Sequence, residues 1–114
     1  MEKFFINGAT IEVEIAETFL SRLRGLMGRS RLPEGRGLLL APCSSIHMLF
    51  MRFSIDVIYI DKEFCIKKIA RNVPAWLGMS FCFGAWAALE MASGEADRLK
   101  LAVGQKFTRK NPPD

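Results

Sequence analysis

Histidine is nearly missing from this chain: one occurs among 114 residues, His47. Cysteine is scarce as well. Cys43, Cys65 and Cys82 are odd in number and widely spaced, and they form no C-x-x-C pair. That pattern is not a secreted disulfide framework and offers no paired spacing for structural zinc. Three free thiols and no metal are expected. No stretch reaches the ~18 apolar residues of a membrane-spanning helix. The longest apolar run, around Trp76 to Leu89, is broken by Gly78, Ser80 and Gly84. The opening residues, Met1 to Glu17, hold no continuous apolar segment of a signal peptide, so cytoplasm is the expected location. A G-x-S-x-G elbow, a phosphate-binding glycine loop and a dinucleotide fingerprint are all absent. No cofactor is expected.

What the chain does have is apolar mass. Half of it is hydrophobic and a quarter is charged, the composition of a globular protein. Its length fits a single domain, 1–114, able to hide roughly two-thirds of its unfolded surface without disulfides or metal. Sixteen basic against twelve acidic residues leave a net charge of +4. An anionic membrane or nucleic acid could exploit that charge. Five arginines crowd between Arg22 and Arg36 with no interleaved aromatics, so a solvated basic face is expected there and no nucleic-acid partner.

Periodicity predicts a strand-rich fold. Phe4 to Asn7 and Ile11 to Ile15 read as a hairpin turning at Asn7-Gly8, with Ile11, Val13 and Ile15 on one face and Glu12 and Glu14 on the other. Phe19, Leu20, Leu23, Leu26 and Met27 form a helical stripe, which predicts a helix over Glu17 to Met27. Further strands are expected at Gly37 to Ala41, Ile46 to Arg52, Asp56 to Asp61, Phe64 to Ala70 and Trp86 to Met91, with an irregular segment from Pro74. Ser93 is placed to cap a short helix from about Gly94 to Leu101, and Lys106 to Thr108 suits a closing strand. The fold class is therefore mostly β: a compact antiparallel sandwich or barrel-like sheet of about seven or eight short strands with two short helices. An α+β sheet with helices on one face is the alternative.

The chemistry-bearing residues gather around the single histidine. On a strand, His47, Leu49 and Met51 would share one face, and Met48, Phe50 and Arg52 the other. The ordinary reading is a hydrogen-bonded core or rim histidine. The functional reading pairs it with a carboxylate, either Asp56 just past an expected turn or Glu90, and lets Arg52 hold an anionic group. His47, Arg52, Asp56 and Glu90 are thus the candidate binding residues. A Cys43–His47 nucleophile pair lacks an oxyanion glycine motif.

Several ordered segments resemble a known family. They are Arg24-Gly25-Leu26-Met27-Gly28-Arg29 with Gly37-Leu38-Leu39-Leu40, then Ser45-Ile46-His47 followed by the run from Phe50 to Asp61, then Pro74-Ala75-Trp76, and finally Leu89-Glu90 with Ser93-Gly94. Together they look like the domain of unknown function 192 family, over roughly residues 11 to 108. The resemblance implies a compact, mostly β bacterial or archaeal domain and carries no reaction. Some relatives look exported. Met48 stands where the family often has a small polar residue, Ser54 replaces a usual proline, and Lys62-Glu63 replaces an Asp-Gly-type turn. Met91-Ala92 and Gly104-Gln105 depart from the pattern too. Three functions follow as expectations: a module binding a small ligand or a protein, an enzyme using His47 with Asp56 or Glu90, or an assembly partner with exposed apolar surface.

Overall fold

The computed structural model describes residues 1–16, 18, 31–48 and 51–109. The chain opens with a hairpin of β1 (Glu2–Ile6) and β2 (Ala9–Ala16). Asn7 and Gly8 turn it with φ of 51° and 78°, the two left-handed residues of a tight primed turn. β3 (Arg36–Leu40), β4 (Ser45–His47), β5 (Ile55–Ile60), β6 (Ile66–Val73), β7 (Met79–Phe81) and β8 (Ala87–Ala92) follow, with one four-residue helix, Glu95–Arg98.

Six strands form one sheet in the order β1-β2-β3-β8-β5-β6, and β4 pairs with β7 in a separate ribbon. β5 is buried along its whole length and β8 along all but its last residue, because both lie inside the sheet with cover on both faces. One face holds Phe4, Ile11, Val13, Ile58, Ile60, Leu89 and Met91, packed with Ala96 and Leu99 from the helix region. The other holds Leu38, Leu40, Val57, Tyr59 and Ala88, covered by Ile46, Met48 and Met51.

The mostly β expectation holds, and three of its details are corrected. The sheet is mixed: β2 and β3 run parallel, the other adjacent pairs antiparallel. It is also not closed. Lys106 and Thr108 make only isolated bridges, to Cys65 beside β6 and to Phe5 of β1, in place of a closing strand. Among the described residues one helix occurs; the helix expected over Glu17 to Met27 lies, Thr18 apart, outside them. The strand expected over Ile46 to Arg52 stops at His47. Met48 N donates to Gly78 O, which carries the ribbon's pairing one residue further, and Met51 N donates to Met48 O, a closure that an extended strand from Met48 to Met51 does not make.

Ser93 does not cap the short helix. Its N-cap is Gly94 at φ 96°, with no side-chain cap of its own. Asp56 does that work from the neighbouring strand, accepting from Gly94 N at 3.1 Å and Ala96 N at 2.9 Å. Ser93 instead hydrogen-bonds the Asn72 side chain at 2.6 Å. Beyond the helix, Asn7 Nδ2 donates to the carbonyls of Leu99 at 3.0 Å and Lys100 at 2.9 Å, which ties the hairpin turn to the helix end.

Candidate functional site

The β4–β7 ribbon exists because the chain reverses sharply after β6. Asn72 takes φ 53°, Trp76 takes φ 67°, and Gly78 N donates to Pro74 O at 3.1 Å. Gly78 is required by space: a Cβ there would stand 2.5 Å from the Pro74 carbonyl oxygen. The reversal launches β7 antiparallel to β4, with Ser45 opposite Phe81, Ile46 opposite Ser80 and His47 opposite Met79. Side chains alternate across the ribbon. Ile46 is buried against the sheet, whereas Ser45, His47, Met79 and Phe81 are exposed.

Between this ribbon and β6 lies a groove of about 780 Å³. Ile46, Val73, Met79 and Phe81 supply its apolar walls, and His47 and Lys68 supply nitrogen-bearing side chains. Lys68 Nζ donates to Phe81 O at 2.7 Å and lies 5.2 Å from the Phe81 ring centroid. That double contact holds the ammonium at the groove wall. Arg71 also lines the groove, but its Nε is paired with Asp97 at 3.0 Å. No Asp or Glu lines it.

The four residues singled out from sequence do not meet at one point. His47 is exposed on β4, not seated among core residues, because the strand presents its other face to the sheet. Arg52 is exposed and outside the groove lining. Asp56 is buried on the helix side of the sheet, opposite Met91. Besides its two helix contacts, its Oδ1 accepts from Asn72 N at 2.8 Å. Both carboxylate oxygens are thus committed to backbone N–H groups. Asn72 itself lines the groove, so Asp56 supports the groove wall from behind rather than entering it. Glu90 is buried on the other face of the sheet, opposite Leu38 and Val57.

Tyr59 lies beneath the ribbon. It is fully buried, and its hydroxyl, close to Ser80, makes no well-formed hydrogen bond among the described residues. Burial pushes its pKa up to about 12; Ser80 opposes the shift, while Cys43, Cys82 and Glu90 add to it from a distance. The three cysteines are free thiols, each half-buried. Among the described residues, no cluster of three or more His, Cys, Asp or Glu side chains is arranged to hold a metal ion.

The sequence reading missed Lys68, Met79 and Phe81. One signal was available. No carboxylate occurs between Glu34 and Asp56 or between Glu63 and Glu90, and those two stretches contain β4, β6 and β7. Their pairing concentrates cations and apolar residues in one place.

Comparison with known proteins bears on the fold and family. The DUF192 family model, described as an uncharacterized ACR, matches residues 3–108. A UPF0127 protein of Thermococcus sibiricus is 34% identical over 102 residues, which cover 86% of this chain and 66% of that protein. A protein of unknown function from Novosphingobium aromaticivorans superposes with a TM-score of 0.83 at 24% identity, over 94% of this chain and 81% of the other. A Sinorhizobium meliloti structure described as a candidate transcription regulator gives 0.83 at 23% identity, over 94% and 92% of the two chains. At that identity the likeness is one of fold.

Proposed function

We propose that this protein, which belongs to the domain of unknown function 192 family, is a binding module whose groove takes an anionic ligand with an apolar portion. One observation carries the reading: the Lys68 ammonium is held at the wall of a carboxylate-free groove between apolar residues, with His47 also on the lining. The groove's volume falls in the range of roughly 300–1,000 Å³ usual for small-molecule sites. A ligand carboxylate or phosphate there gains a charge-assisted hydrogen bond, and its hydrocarbon part gains about 0.8 kcal/mol per buried methylene.

The enzyme reading, His47 with Asp56 or Glu90, has weaker support. Asp56 gives its oxygens to three backbone N–H groups, and the two carboxylates lie on opposite faces of the sheet.

Dodecanoate is a suitable probe, titrated calorimetrically below its micelle concentration. Saturable binding is expected, and Lys68→Glu should weaken it about tenfold or more, matching the ~1.5–3 kcal/mol of a charged hydrogen bond. Absence of binding, or equal affinity in the variant, would reject the proposal.

A further inference from the structure

The ribbon carries apolar side chains where a solvated strand would carry polar ones. Leu77, Met79, Phe81 and Phe83 are 92%, 77%, 65% and 96% exposed, Met79 and Phe81 on β7 and Leu77 and Phe83 in the turns that precede and follow it. The alternation of β7 puts Met79 and Phe81 outward beside His47 and Ser45, with Leu77 and Phe83 extending the exposed apolar row at either end, while Ser80 and Cys82 are partly buried. Among the described residues, the large hydrophobic side chains exposed elsewhere are only Met1 and Val103, with Trp76 half exposed in this same segment.

Cations stand beside the middle of the row: Lys68 and Arg71 line the groove wall, which holds no carboxylate, with Arg71 also paired to Asp97, while Asp61 and Glu63 lie toward the Phe83 end, lining a pocket with Gly84. Arg52, Lys67, Lys68 and Arg71 belong to the two stretches that hold no carboxylate, and all four are exposed. Large protruding hydrophobic groups flanked by cations complement an anionic lipid surface, where the first enter the acyl boundary and the second face phosphates. Leu77 and Phe83 stand nearly free of the protein and do not line the groove. A protein partner would need sockets matched to each of them, whereas a fluid bilayer accommodates any protruding shape.

We infer that the β4–β7 ribbon docks the protein peripherally on an anionic lipid bilayer, with Leu77, Met79, Phe81 and Phe83 as its apolar anchors and Lys68 and Arg71 among its phosphate-facing cations. Docking of this kind needs no spanning helix, and among the described residues none is long and apolar enough to span. The inference stands apart from the ligand reading, because Leu77 and Phe83 lie outside the groove.

Flotation of the full chain with phosphatidylglycerol-containing vesicles, against pure phosphatidylcholine vesicles, tests it. The protein should float with the anionic vesicles, and salt should weaken the association. Leu77→Ser/Phe83→Ser should cut partitioning about tenfold or more, given the apolar area withdrawn, while dodecanoate affinity stays unchanged. Lys68→Glu should cut it about fivefold, the effect of roughly 1 kcal/mol per surface cation. In the unaltered protein, bromine-labelled lipids should quench the tryptophan fluorescence through Trp76, a readout that depends on no variant. Failure to float with anionic vesicles, equal flotation of the double variant, or a concentration-dependent dimer abolished by the double variant would each overturn the inference; the last would assign the row to a second copy of the chain.

Discussion

The two faces of the six-stranded sheet are built on opposite principles. On the helix side, buried carboxylates are fully engaged. Asp56 accepts three backbone N–H groups, and Glu95 accepts Gly35 N at 2.8 Å and a two-pronged contact from Arg98. Polar groups on that side hold the fold together. On the ribbon side a buried phenol lacks a well-formed hydrogen bond, a groove lies open, and apolar side chains stand in solvent. An engaged polar group is a structural device, whereas an uncompensated apolar row is a surface awaiting an occupant. The contrast supports the groove proposed on the ribbon side, and the three backbone N–H groups held by Asp56, at first sight the best acid for chemistry, give that residue a part in the architecture.

The contrast can be broken most directly at Asp56. Asp56→Ala leaves three N–H groups without their acceptor and should cost ~3–4 kcal/mol, since an orphaned buried donor costs ~1–3 kcal/mol by itself. Urea unfolding measures this, and a loss under about 1 kcal/mol would erase the distinction between the faces.

Glu95→Gln should cost about 1–2 kcal/mol at neutral pH. The Arg98 hydrogen bonds, helped by Gly35 N–H, hold the Glu95 carboxyl below the usual carboxylate range against the opposing effect of burial. Its folded pKa is therefore depressed. The stabilisation is fully present above the ordinary glutamate pKa and is lost as pH falls through that value to the lower folded one. The gap between wild type and Glu95→Gln should close on acidification; a gap constant with pH would contradict the assignment.

Tyr59→Phe sharpens the comparison from the other side. Removing a buried hydroxyl without a well-formed partner should leave stability unchanged or raise it by up to ~1 kcal/mol. In the wild-type protein the phenol should ionise near 12, seen in its ultraviolet absorbance. Because the folded value lies above the ordinary one, stability should decline as pH rises from the ordinary tyrosine pKa toward the folded value. A clear destabilisation by Tyr59→Phe would mean that the hydroxyl is bonded after all.

The smallest expected effect belongs to Leu77→Ser/Phe83→Ser, within about 0.5 kcal/mol of wild type in thermal or urea unfolding, as for surface positions generally. A loss of several times that size would place those side chains in the fold rather than in a docking surface.

Much of the strand pattern was legible because it is local. Asn7-Gly8 announced its hairpin through turn chemistry, and the run expected as a strand over Asp56 to Asp61 forms one at Ile55–Ile60. The candidate site was less legible. Treating Ile46 to Arg52 as one strand gave a two-residue alternation that the backbone does not follow, since Met48 and Met51 are both buried and His47 and Arg52 both exposed. β7 was missed because Met79–Phe81 is short and lies between glycines, and its pairing partner, β4, is more than thirty residues away.

By itself, then, the sequence determined the β-rich class, the family, the turn at Asn7-Gly8 and the separation of carboxylates from the stretches that build the ribbon and its flanking strand. These follow from composition, short-range backbone preference and residue order. Only the tertiary structure decided that β2 and β3 run parallel, that Asp56 caps a helix 38 residues further along the chain, and that β4, β6 and β7 converge on one groove. Each of those is a long-range pairing. Its free energy comes from groups far apart in the chain, so no local window contains both partners.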